Sequence, residues 1–274
     1  MPTPIYLISF NRLTWLQQLA EQCARLPDVA VIIVDNASTY PPLVQWLQRC
    51  PYEVERLPRN IGHQSPWVAG VIKPELQQTQ RWGTPYYVVS DHDLSIADVP
   101  SDVLDVLRDG FRCWPDVIKV GLSLAVDDVH PDWRERVQNW EADFWRRPAY
   151  GRYFQGALDT TFVMCHARTP TETAKEVQYA ALRAAPPYTA KHLPWYLDLT
   201  KLSDEHRYYW RTCNASANWM PQAISANLGQ PQFLIPPPTP AIAFPYAGRQ
   251  VRQHRRIAQV FPQLFAQEQF DTVL

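Results

Sequence analysis

Two periodicities alternate along the first ninety residues. Residues 5–10 form a short apolar run of the kind a buried strand presents, and Leu13, Leu16, Ala20, Cys23 and Leu26 then recur at three- and four-residue steps, which sets them on one face of a helix. Residues 29–34 (VAVIIV) are apolar and largely β-branched, the pattern of a central parallel strand covered on both faces. Pro41 and Pro42 suit the first turn of a helix running to about Arg49. Residues 52–57 and 86–90 (YYVVS) read as a third and a fourth strand. Strand–helix alternation of this kind predicts an α/β fold with a mostly parallel central sheet and helices on both faces.

Beyond Asp93 the pattern loosens. A helix is expected over 103–107, a strand over 117–126, a polar, Trp-rich helix over 133–145 and a further strand over 160–165. Six of the fifteen residues from 231 to 245 are proline, which excludes a helix or a central strand and predicts an extended connector. The division this suggests is 1–120 as the first half, 121–230 as the second, and 231–274 as a Pro-rich connector with a helical extension.

Composition changes this picture little. The 274 residues carry 26 basic and 27 acidic side chains, so the net charge of −1 supplies no global field for capturing polyanions. The five cysteines (23, 50, 113, 165 and 213) show no CxxC spacing and are odd in number, so reduced, mostly buried thiols are expected, with a cytoplasmic location. No stretch approaches the ~18 apolar residues of a spanning helix.

The candidate chemistry follows the strands. Ligands of an open parallel sheet bind beyond the carboxyl ends of its strands. There the chain has Ser9, Asn11 and Arg12, then Asp35, Asn36, Ser38 and Thr39, then Arg59, Asn60, Gly62 and His63, then Asp91, His92 and Asp93. A helix cap or an Asx turn is the ordinary use of any one such residue. Asp91 and Asp93 are more specific, because two carboxylates two residues apart just past a strand can both reach one hard divalent cation, Mg²⁺ or Mn²⁺.

Taken in order, Ser9-Phe10-Asn11-Arg12, Val34-Asp35-Asn36-Ala37-Ser38-Thr39, Arg59-Asn60-Ile61-Gly62 and Asp91-His92-Asp93 resemble the motifs of family 2 glycosyltransferases of the GT-A fold, across residues 4–95. Ala37 stands where such enzymes commonly have Gly, which suggests a slightly different turn. The resemblance implies a GT-A Rossmann-like fold with an acceptor-side region after the nucleotide-sugar half. It also implies that Asp35 holds the base or ribose of a nucleotide-sugar and that Ser9, Asn11, Arg12, Asn60, His63 and Asp91 line the donor site. Asp91 and Asp93 would hold Mn²⁺ or Mg²⁺ on the diphosphate, and His192 would complete the metal shell.

The second half resembles nothing as closely. An inverting transfer needs a base for the acceptor hydroxyl. Asp127, Asp128, Glu141 and Asp159 are the candidates, with Asp159 ranked first and Asp128 second, although caps and surface ion pairs are the commoner use of such carboxylates. Lys191 or Arg183 could meet the diphosphate, and Trp195 is a candidate for stacking on the acceptor. Near the C-terminus, Arg249, Arg252, His254, Arg255 and Arg256 form a basic cluster beside an apolar helical face, which reads first as a docked terminal helix with a solvated basic side.

The expectation is therefore a metal-dependent, inverting glycosyltransferase moving a sugar from a nucleotide-diphospho-sugar, with a UDP-sugar favoured, to a hydroxyl of a glycan or another acceptor. One alternative is a phage-type DNA glycosyltransferase acting on a hydroxymethylated base, for which the basic cluster would meet phosphates. Another is a non-catalytic sugar- or nucleotide-binding module that kept the fold.

Overall fold

The computed structural model describes residues 1–213, apart from 146, 150, 151, 177 and 179. The expected Pro-rich connector, the basic cluster and the end of the 121–230 half lie outside the described residues.

The first four expected strands are all present: β1 (Thr3–Ser9), β2 (Val29–Asp35), β3 (Glu53–Arg56) and β4 (Tyr86–Asp91). Between them run α1 (Leu13–Ala24), α2 (Pro41–Leu47), α3 (Ser65–Val68) and α4 (Glu75–Trp82). The chain continues through β5 (Leu94–Ser95), α5 (Val103–Cys113), β6 (Lys119–Leu124) and α6 (Pro131–Glu141), then a 3-10 turn over Ala142–Trp145. The described residues end with β7 (Pro148–Ala149), β8 (Tyr153–Gln155), β9 (Val163–His166), α7 (Thr171–Glu176), β10 (Ala181–His192) and α8 (Asp204–Thr212).

One sheet runs in the order β3-β2-β1-β4-β9-β6-β10-β8-β7, with β5 paired to β10 off that path. It is mostly parallel. β3, β2, β1 and β4 run together, β9 opposes both β4 and β6, and β6 and β10 run parallel to each other. The expected boundary at residue 120 falls inside β6.

Period-two alternation divides each central strand between two cores. Ile5, Leu7, Val31, Ile33 and Val88 face α1, α2 and α5, whereas Tyr6, Ile8, Ile32, Val34, Tyr87 and Val89 pack with Trp67 of α3 and Ala174 of α7. Each fully buried Leu or Ile side chain contributes about 1.5–3 kcal/mol to holding the sheet between these two layers. Among the described residues, none of the cysteines is in a disulfide. Among the described residues, no helix is long and apolar enough to cross a membrane.

Candidate functional site

β1, β2 and β4 reach their carboxyl ends side by side. Ser9 stands opposite Asp35 across β1 and β2, and Ile8 opposite Asp91 across β1 and β4. Arg56 of β3 stands opposite Asp35 on the far side, and its Nε lies 3.4 Å from Asp35 Oδ2. Asp35 is fully buried. Burial pushes its carboxyl above the usual range, partly offset by the Ser38 hydroxyl and amide, both of which donate to it, and by Arg56.

The loops after these strands are stitched together by amide side chains. Asn11 has φ +48°, in the left-handed region that asparagine tolerates best among non-glycine residues. Its Oδ1 accepts from the amides of Thr39 at 2.7 Å and Tyr40 at 2.9 Å, and its Nδ2 donates to Thr212 Oγ1 at 2.9 Å. Asn36 donates to Gly62 O and Ser65 Oγ and accepts from the Ile61 amide, fixing the 60–65 loop. Asn60 closes an Asx turn onto the Gly62 amide. Asn11 and Asn60 thus hold loops by their side-chain oxygens. Ala37 has φ +58°, so the turn that glycine would favour is kept with an alanine in it.

Asp91 is clasped by Thr160. The Asp91 amide donates to the Thr160 carbonyl at 2.9 Å, and Thr160 Oγ1 donates to Asp91 Oδ2 at 2.6 Å. Burial, then the like charge of Asp93, holds the Asp91 carboxyl well above the usual range, and Asp159 adds in the same sense. Beneath this segment the buried Lys119 donates to Leu158 O at 3.3 Å. Just outside it, His63 Nε2 lies 3.6 Å from Asp159 Oδ1, with both side chains about half exposed.

Antiparallel pairing of β5 with β10 sets Leu94 opposite His192 and so brings His192 Nε2 within 3.7 Å of Asp93 Oδ2. The same oxygen accepts from Arg12 Nη1 at 3.0 Å. Burial pulls the Asp93 carboxyl up, but His192, His92 and Arg12 together outweigh it and leave it below the usual range. His192 is itself held low by burial, and Trp195 sits edge-on to its ring at 4.7 Å. His92, between the two aspartates, turns the other way: its Nδ1 lies 2.8 Å from the Ile8 carbonyl.

Two carboxylates and an imidazole are the donor chemistry of a hard or borderline divalent cation, and the mutual charge of Asp91 and Asp93 is what such an ion would relieve. Among the described residues, however, no three His, Cys, Asp or Glu side chains are already gathered to hold a metal. Asp93 is turned toward Arg12 instead.

Other expected residues lie elsewhere. Trp195 is 1% exposed and packs in the core, so it offers no face to an acceptor. Glu141 and Arg183 form a buried ion pair at 2.6 Å, which removes one as a base and the other as a diphosphate contact. Asp128 is exposed and accepts from Lys191 Nζ at 2.7 Å and Tyr196 OH at 2.6 Å, which hold its carboxyl below the usual range. Asp127 is exposed beside it.

Arg56, Lys119, Thr160, Tyr209 and Thr212 were not singled out from the sequence. Thr160 adjoins a candidate residue but carries no motif. Tyr209 and Thr212 belong to α8, which lies across the first strand–helix loop and is anchored by Glu205, accepting from the amide and hydroxyl of Thr14 at 2.9 and 2.6 Å. The signal for α8 was present: Ser203 caps it, and Asp204 and Glu205 occupy its first turn.

No family model and no curated protein matches this sequence. Among solved structures, the chain is similar to S. aureus TarS, with 10% identity and a TM-score of 0.39, over 98% of this chain and 44% of that one. It is similar to a 4-diphosphocytidyl-2C-methyl-D-erythritol synthase, with 14% identity and a TM-score of 0.38, over 74% of this chain and 96% of that one. Glucosyl-3-phosphoglycerate synthase from Mycobacterium tuberculosis, in complex with Mn²⁺, UDP-glucose and phosphoglyceric acid, matches with 12% identity and a TM-score of 0.36, over 61% of this chain and 57% of that one. The chain therefore spans about half the length of the first and third of these. At such identities and scores the likeness does not extend to activity.

Proposed function

We propose that this chain is a nucleotide-sugar-dependent glycosyltransferase whose donor lies across the carboxyl ends of β1, β2 and β4. Ser9, Asp35 and Asp91 stand at the aligned ends of neighbouring parallel strands, and that alignment carries the reading. In this reading Asp35 would meet the base or ribose, and Asp91, across β1 from it, a diphosphate-bound cation. The order of the four strand-end motifs, which resembles family 2 enzymes, supports the same assignment.

Asp91 and Asp93, with His192, would hold a divalent cation, Mn²⁺ or Mg²⁺, which when bound neutralises charge on a leaving diphosphate. Asp159 is the proposed base. It takes the proton of the acceptor hydroxyl as that oxygen attacks the anomeric carbon, and the nucleoside diphosphate leaves with the electrons of the broken C–O bond, inverting the centre. His63, 3.6 Å from Asp159 Oδ1, orients that carboxylate. Asp128 is the weaker candidate, because Lys191 and Tyr196 already engage both of its oxygens.

The test is a thermal-shift panel of UDP-, GDP-, CDP- and dTDP-sugars, each with and without Mn²⁺, on wild type and Asp91→Asn. A ligand at a hundred times its dissociation constant stabilises by about 2.7 kcal/mol. One nucleotide shifting wild type with metal, and failing to shift the variant, supports the proposal. No shift with any donor sinks it.

A further inference from the structure

Arg12 immediately precedes α1, and 3% of its side chain is exposed. Its guanidinium lies 3.5 Å from the centroid of the Tyr209 ring and 4.4 Å from that of Trp15, and its Nη1 donates to Asp93 Oδ2 at 3.0 Å. A guanidinium keeps its charge in proteins, and aromatic faces favour it over a hydrated ammonium. Arg12 is therefore a fixed cation, seated by α1 and α8, on a carboxylate that the donor-site reading gives to a movable one.

We propose that Arg12 is an internal cation that competes with divalent metal for Asp93, so that the nucleotide-free protein binds metal weakly and the metal enters on the donor's diphosphate. The inference rests on that donor-site reading. A divalent ion approaching Asp93 alone meets a carboxylate oxygen already occupied and a guanidinium a few ångströms away that repels it. An ion already carried by a diphosphate brings compensating negative charge, and the repulsion falls.

The experiment titrates Mn²⁺ alone into the nucleotide-free protein and reads free Mn²⁺ by electron paramagnetic resonance. Arg12→Gln is expected to bind Mn²⁺ at least tenfold more tightly than wild type. Arg12→Lys, which keeps the charge, stays near wild type. Adding Asp93→Asn to Arg12→Gln removes the gain. Equal or weaker binding by Arg12→Gln overturns the proposal, as does Arg12→Lys binding as tightly as Arg12→Gln. Should Arg12→Gln fail to fold, Arg12→Met fills the slot between the two rings with an apolar stem and is read in the same way. The two proposals fail separately. A donor shift in the nucleotide panel without a gain in Arg12→Gln sinks the competition alone, and a gain without any donor shift sinks the transferase reading alone.

Discussion

Thr160 grips Asp91 twice, through a carbonyl that receives its amide and a hydroxyl that donates to its carboxylate at 2.6 Å. These residues are 69 positions apart, and the contact ties the end of β4 to the segment carrying Asp159. Hydrogen bonds to charged groups contribute about 1.5–3 kcal/mol, so Thr160→Val is expected to lower stability at neutral pH by that amount, while Thr160→Ser retains most of it. Urea denaturation of the three proteins checks this.

Asp159 and Asp128 separate by rate. Loss of a general base costs about 10²–10⁴ in turnover. Asp159→Asn is expected to fall in that range with little change in donor affinity. Asp128→Asn, whose oxygens serve Lys191 and Tyr196, should stay within several-fold of wild type. Single-turnover kinetics at saturating donor decides between them.

Glu141 and Arg183 hold α6 to β10 through a pair that is 2% and 4% exposed. Burial pushes the Glu141 carboxyl up, and Arg183 opposes that rise. Removing one partner strands a charge, so Glu141→Ala is expected to destabilise by about 3–5 kcal/mol, and the double change Glu141→Leu with Arg183→Met by much less. Chemical denaturation measures both. Neither change touches the β1–β2–β4 edge, so donor binding should persist wherever the protein folds.

His206 packs its ring 4.8 Å from that of Trp15, and its Nδ1 lies 2.7 Å from Ser203 Oγ. Burial, with help from Arg12, pushes it down to about 4 from its usual value near 6.5. Above pH 6.5 the imidazole is neutral in both the folded and unfolded chain, and its contribution is constant. Between pH 6.5 and about 4 the unfolded chain binds the extra proton, so stability falls as pH falls. His206→Phe keeps the aromatic contact and removes this proton uptake. The difference in unfolding free energy between variant and wild type, measured at pH 7.5 and pH 5, is expected to shift in favour of the variant at the lower pH.

Much of the first ninety residues was legible because its strands and helices follow clear periodic patterns. The apolar run over residues 5–10 already announced a buried strand, and α1 followed from Leu13, Leu16, Ala20, Cys23 and Leu26. The region beyond Asp93 was harder. β10 carries Pro186 and Pro187, which argue against a strand, and the sheet accommodates them where the β6 pairing shifts register between Ala184 and Thr189. Nor does a hydrophobic run state its direction, so the reversal of β9 between β4 and β6 could not be read from its residues. Trp195 was a candidate for stacking on the acceptor, because an aromatic face serves a core or a ligand equally well in sequence, yet it fills the core beside His192. The Arg12–Asp93 pair spans 81 positions and depends on Trp15 and Tyr209, which no local pattern joins.

The most direct measurement is phosphorus NMR of each nucleotide-sugar incubated with the 274-residue chain, Mn²⁺ and a mixture of hydroxyl acceptors. The account predicts that one donor is converted to its nucleoside diphosphate by wild type and that Asp91→Asn, while folded, abolishes the conversion. Undiminished conversion by Asp91→Asn, or no conversion of any donor by folded wild type, would contradict it.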